Sequence, residues 1–143
     1  MTSTTGALSD WAGTFLREDR VGVVGTVNAD GSLHLTTMWY LLADDGTVVM
    51  TTLSRNQKVK NLRRDPRMSV CVGDRTRSVS LSGYVTISED QAVVRQDLER
   101  LVERYVEDES IRLGVVATWM RQSHVALHLK PEKVTEFSVS PPR

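Results

Sequence analysis

The sequence predicts a mainly β fold of the α+β kind, a six-stranded antiparallel barrel with peripheral helices at its seams. Short segments alternate apolar and polar residues with period two. The sharpest is "SVSLSGYVTI", where Val79, Leu81, Gly83, Val85 and Ile87 alternate with Ser78, Ser80, Ser82, Tyr84 and Thr86, the pattern of a strand with one buried face. Asp30-Gly31 and Asp45-Gly46 stand between such segments as hairpin turns. Helical spacing is confined to a few stretches between the strands.

The chain opens with a helix in "ALSDWAGTFLRED", where Leu8, Ala12, Phe15 and Leu16 fall at helical spacing behind Ser9 or Asp10 as N-cap. "VGVVGTV" and "LHLTTMWYLL" then flank the turn "NADGS", and "ADDGT" leads into "VVMTT", giving three antiparallel strands. "TTLSRNQKVKNLRRDPRMSV", residues 51 to 70, passes from strand to basic helix and back to strand. Ser54 is its expected N-cap, Val59 and Leu62 face the barrel, Arg63 and Arg64 face water, and Asp65-Pro66 ends it. "RMSVCV" and the alternating segment follow as strands.

Residues 89 to 106 predict a long amphipathic helix from the spacing of Val94, Leu98, Leu101, Val102 and Tyr105, with Ser88 and Gln91 as a capping box. A shorter helix at 109 to 121 places Ile111, Val115 and Trp119 on one side. "HVALHLKPEKVTEF" supplies the last strand, with Val125, Leu127 and Leu129 inward and a further short strand at 133 to 138. The expectation is one domain over residues 1–143, ordered over about 8–138, with 139–143 and the Pro-containing "SVSPPR" as a flexible tail.

Bulk properties exclude several functions. Eighteen Lys plus Arg balance eighteen Asp plus Glu, so no global field draws the chain to nucleic acid or an anionic membrane. No signal-like start and no apolar run of about 20 residues occur, which makes a soluble cytoplasmic protein the expectation. One cysteine and three histidines leave no internal disulfide and little for a metal site. Cys71, between Val70 and Val72, reads as a packed thiol. No Ser-His-Asp set or carboxylate pair presents itself, so no side chain is named as catalytic and any chemistry must come from a cofactor. The local excess of positive charge at Arg55, Lys58, Lys60, Arg63, Arg64 and Arg67 is either a solvated helix face or an anion site.

Together with "DGSLHLTTMWYLLADDGTVVM" before it and "SVSLSGYVTISED" and "HVALHLKPEKVTEF" after it, the basic stretch resembles the pyridoxamine 5′-phosphate oxidase-like split β-barrel superfamily. It is most similar to the small flavin- or deazaflavin-dependent oxidoreductases common in actinobacteria. The resemblance covers about residues 8 to 138. It implies an FMN-binding type of split barrel, a homodimer with cofactor sites in grooves between the subunits, and coenzyme F420, a deazaflavin with a phosphodiester tail, or FMN as cofactor. The implied activity is hydride transfer from reduced F420 to a small unsaturated or quinone-like substrate. An FMN-dependent oxidoreductase and a non-catalytic carrier on the same fold are the alternatives.

Carried onto this chain, the resemblance makes Lys58 the main phosphate ligand, assisted by Arg55, Ser54 and Asn61. The ring would lie against His34, Leu35, Thr36, Thr37, Met38 and Trp39, with Thr51 and Thr52 lining the same groove. Alternation puts His34, Thr36 and Met38 on one face of that strand and Leu35, Thr37 and Trp39 on the other. Taken alone, Trp39 reads as a core or dimer-interface aromatic more readily than as a ring partner, and His34 as a polar strand residue more readily than as a general acid. Leu33 stands where many relatives have Pro, and Asn56 where many have Arg. The chain ends in "FSVSPPR" rather than in the arginine-containing motif of true pyridoxamine phosphate oxidases, so vitamin B6 oxidation is not expected.

Overall fold

A bulge in the longest strand pair gives the sheet its curl. The computed structural model describes residues 1–140. In chain order the elements are β1 (Thr2–Thr5), α1 (Asp10–Arg17), β2 (Gly22–Val27), β3 (Leu33–Met38), β4 (Leu41–Leu42), β5 (Val48–Leu53), α2 (Gln57–Arg64), β6 (Arg67–Gly73), β7 (Arg77–Ser88), α3 (Gln91–Tyr105), α4 (Glu109–Met120) and β8 (His124–Ser138). The eight-stranded antiparallel sheet runs β3-β2-β6-β7-β8-β5-β4, with β1 added along β8. β7 and β8 pair from Arg77↔Ser138 to Ser88↔Ala126, with a register shift between Ser82 and Gly83. Bulges bend a strand and raise its twist, and this one lies opposite Pro131.

The split-barrel expectation holds, with two strands more than predicted. β1 forms because residues before position 8 pair with Val134 to Phe137. β4 is a two-residue bridge to Val48 and Val49. The separate strand expected at 133 to 138 is the continuation of β8, and Ser138 and Val139 are tied by backbone bonds to Met1 and Thr76. The rest of the expected tail, residues 141 to 143, lies outside the described residues. Among the described residues no helix is long and apolar enough to cross a membrane.

The barrel interior holds Val24, Val48, Met50, Val70, Val72, Val79, Leu81, Leu127 and Leu129, plugged by Phe15 and Leu16 of α1 and Val59 and Leu62 of α2. α1 starts where Ser9 Oγ accepts from the Ala12 amide and Glu136 accepts from the Ser9 amide at 2.9 Å. Its last turn receives the Tyr40 hydroxyl on the Leu16 carbonyl at 2.6 Å, and Arg104 donates to the Leu16 and Glu18 carbonyls. Burial pushes the Tyr40 phenol up to about 12. Outside the barrel, α3 is locked to β8 by buried Asp97, which bonds the His128 ring at 2.6 Å.

Four local expectations are corrected. The residue capping α2 is Asn56, not Ser54, and it makes no side-chain capping bond because its amide donates to Thr52 Oγ1. At α3 Asp90 caps by accepting from the Ala92 amide; Gln91 bonds the Glu89 carbonyl instead of closing a box with Ser88. Ile111 is exposed, because α4 packs mainly on α3 through Val116, with Val115 and Trp119 partly buried beside it. Cys71 is exposed on the outer face of β6, since alternation buries Val70 and Val72 on either side of it.

The turns carry a shared device. Gly31 and Gly46 take φ of 87° and 88°, and the aspartates beside them, Asp30 and Asp45, accept backbone N–H bonds two residues on. Asp74 and Asp108 do the same, and these hydrogen bonds hold all four carboxyls below the ordinary 3.8. Asp65 is held at about 2 by its bonds to Arg67. Because these folded values lie below the unfolded ones, the stabilisation is complete above 3.8 and lost as pH falls through about 2. Urea midpoints measured against pH should therefore be flat above that window and fall steadily within it; a midpoint constant throughout would contradict the turn account. Gly83→Ala should cost at least about 2 kcal/mol in the same assay, because a Cβ there would meet the Lys130 carbonyl oxygen at 2.0 Å.

Candidate functional site

The two outer strands of the sheet leave a seam. Among the described residues β3 pairs only with β2, while β5 pairs with β8 and, at Val48 and Val49 alone, with β4. The backbone groups of β3 and of β5 from Met50 onward on those sides have no strand partner, which is what makes the barrel split. A pocket of about 280 Å³ sits in this gap, lined by Thr37, Met38, Trp39, Thr51, Thr52, Lys58, Leu101 and Trp119.

Lys58 dominates its electrostatics. It lies in the first turn of α2 with 7% of its surface exposed, and its ammonium makes one long bond, 3.4 Å to Thr52 Oγ1. Burial lowers its pKa from the ordinary 10.5. An ammonium has three donors, and no carboxylate lines the pocket, so its charge is uncompensated there. Thr52 Oγ1 also accepts from Asn56 Nδ2 at 2.9 Å, which leaves the threonine proton free to donate.

The other predicted phosphate ligands are engaged elsewhere. Asn61 is fully buried, donating to Thr26 Oγ1 and Asn28 Oδ1 and accepting from Gln57, so it pins α2 to β2. Ser54 bonds Ser123 through both backbone and hydroxyl, and Arg55 donates to Gln122 at 3.1 Å. These contacts knit the start of α2 to the start of β8, away from the lining of the pocket. Arg63 pairs with Glu89, Arg67 with Asp65, and Arg64 donates to the Val27 carbonyl.

β3 divides as alternation requires. His34, Thr36 and Met38 point inward with Val24 and Thr26 of β2, and His34 Nδ1 and Thr36 Oγ1 are buried polar atoms without a partner. Such atoms are rare and mark a place for a water or a ligand. Leu33 and Leu35 are 72% and 64% exposed on the outer face, and Tyr84 lines the same groove. This second groove, of about 450 Å³, runs across Gly25, Val27, Leu33, Leu35, Met68 and Tyr84.

The aromatic wall comes largely from residues not singled out for the site in the sequence. Trp39 stacks on Tyr105 with centroids 4.8 Å apart and meets Trp119 at 5.2 Å. Tyr105 is anchored by its hydroxyl, which donates to the Arg20 carbonyl at 2.6 Å. Leu101 and Trp119 arrive from α3 and α4, far along the chain. Three tryptophans in a chain with 6% aromatic residues were the one available signal.

Comparison with known proteins agrees with this geometry. The pyridoxamine 5′-phosphate oxidase family matches residues 8–138. Among solved structures, the conserved hypothetical protein Rv2991 from Mycobacterium tuberculosis is similar with a TM-score of 0.81 and 28% identity, over 96% of this chain and 91% of that one. An F420 reductase gives a TM-score of 0.72 at 21% identity, over 89% of this chain and 98% of that one. A pyridoxamine 5′-phosphate oxidase-related, FMN binding protein from Nostoc punctiforme gives 0.67 at 16%, over 93% and 87%. The likeness to these last two shows the fold alone. No curated protein matches the sequence. Since the match runs from the loop before α1 to the end of β8, the chain belongs to the pyridoxamine 5′-phosphate oxidase family.

Proposed function

We propose that this protein is an oxidoreductase that uses reduced coenzyme F420, or in second place FMN, to reduce a small unsaturated or quinone-like substrate. The observation that carries the reading is Lys58, a buried ammonium without a counter-ion at one end of a pocket whose other walls are aromatic and hydroxyl-bearing. The residues fit such a cofactor. Lys58 and the free proton of Thr52 suit an anionic tail, and the unpaired edges of β3 and β5 suit the polar rim of a planar ring. Family membership supports the same reading, as does the likeness to a protein titled F420 reductase.

When bound, the cofactor supplies hydride chemistry from its central ring. The chain's own part is positional. Lys58 holds the tail, and the β3 edge from Thr36 to Trp39 orients the ring plane. Trp39, Trp119 and Leu101 keep water from the pocket, where low dielectric strengthens the ammonium's pull. His34 Nδ1 and Thr36 Oγ1 are free to bond the ring or a bridging water.

The same proposal includes a homodimer. Val23, Leu33, Leu35, Tyr84 and Phe137 expose apolar surface on the outer sheet face, and Thr37 at its margin also lines the seam. A partner docked there would border the cofactor pocket.

Lys58→Ala should weaken F420 binding, followed by quenching of cofactor fluorescence, by about 1.5–3 kcal/mol without unfolding the protein; unchanged affinity would remove Lys58 from the site. Light scattering after size exclusion should report a dimer, and Leu33→Glu with Leu35→Glu should yield monomers. A wild-type monomer would overturn the interface.

A further inference from the structure

Arg104 is a cation that stands behind the seam rather than in it. It lies half-buried in the last turn of α3, and its Nη2 donates to the Leu16 and Glu18 carbonyls, each at 2.9 Å. Both acceptors belong to the C-terminal end of α1, the negative end of that helix. Its Nε is buried without a partner. An unmade bond inside a protein is a cost, so hydrogen bonding by itself does not account for the place of this guanidinium. The rest of its surroundings is aromatic. Its central carbon lies 4.7 Å from the centre of the Tyr40 ring and 5.1 Å from that of Tyr105, both within reach of a cation–π contact.

These two rings lead to the pocket. Tyr105 stacks on Trp39 with 14° between the planes, Trp39 meets Trp119, and both tryptophans line the seam. Tyr40 follows Trp39 in the chain, and the Tyr105 hydroxyl lies 3.3 Å from its amide nitrogen and 3.1 Å from its carbonyl oxygen. Trp39 itself falls between β3 and β4, beyond the last registered pair of the one and before the first of the other. Its orientation therefore depends on the side chains around it.

We infer that Arg104 is a positioning residue for the seam: by holding the faces of Tyr40 and Tyr105 against the end of α1, it sets the plane of Trp39 and so the wall that a ligand ring meets. The inference rests on the cofactor reading above and deepens it by naming what shapes the pocket from outside. Charge is the operative property, because a cation is attracted both to the negative faces of the rings and to the terminal carbonyls of α1.

Two substitutions separate charge from hydrogen bonding. Arg104→Lys keeps a cation for the rings and the carbonyls, whereas Arg104→Gln keeps a donor and drops the charge. The readouts are the exciton couplet of the Trp39–Trp119 pair in the circular dichroism of the ligand-free full chain, and F420 affinity from quenching of cofactor fluorescence. Arg104→Gln should lose the couplet and bind F420 about three- to tenfold more weakly, while Arg104→Lys should keep the couplet and stay within about twofold of wild type. A couplet that survives in Arg104→Gln, equal losses in the two variants, or an unchanged affinity despite a lost couplet overturns the inference and leaves the cofactor reading intact. A lower melting temperature with couplet and affinity unmoved does the same, since a merely structural role would give that. Should Arg104→Gln fail to fold, Arg104→Lys decides: couplet and affinity both kept support the inference, and loss of either overturns it. A wild-type protein that binds neither F420 nor FMN removes the cofactor reading and this inference with it.

Discussion

The ammonium of Lys58 is the constraint around which this molecule makes sense. A charge taken out of water and given one 3.4 Å hydroxyl contact is a cost to the folded state. Nothing in the seam offsets it, since the lining is threonine, tryptophan, leucine and methionine. Groups of this kind persist where a ligand repays them, and here the pocket that holds the ammonium is open to one. The two uncovered strand edges beside it are a second cost of the same sort, because unpaired amides and carbonyls also await partners.

The rest of the fold holds these features in place. β7 and β8 pair over twelve registered positions and bend at the Gly83 bulge, carrying β5 round towards β3. Asn61, buried and hydrogen-bonded to Thr26, Asn28 and Gln57, fixes α2 against β2 and so sets where Lys58 emerges. Asp97 and His128 fix α3 against β8, one helical turn from Leu101 on the pocket wall. Tyr105 holds Trp39 by stacking and is itself held by three backbone bonds. Each anchor is a polar group satisfied in a buried place, so the geometry is specified by hydrogen bonds as well as by packing.

Much of this architecture was legible where one local rule acts alone. Alternation located β7 and its buried face; Asp30-Gly31 and Asp45-Gly46 located the turns; Ser9 located the start of α1. Expectations failed where two partners competed for one residue. Ser54 looks like a cap until Ser123 claims it, and Ser88 yields to Asp90 at α3. Of the predicted site residues, Thr37, Met38, Trp39, Thr51, Thr52 and Lys58 converge in one seam, while Arg55, Ser54 and Asn61 serve the scaffold. Leu101 and Trp119 were beyond reach, because their place in the wall depends on how the α3–α4 pair folds back over strands distant in the chain.

Lys58 itself offers the most direct measurement. With its side chain isotopically labelled, an NMR titration of the Lys58 ammonium reports its pKa in the free protein and in the presence of saturating F420. The account predicts a free value below the ordinary 10.5 that rises when the anionic tail arrives. A free value at or above 10.5, or one that bound cofactor leaves unmoved, would contradict it.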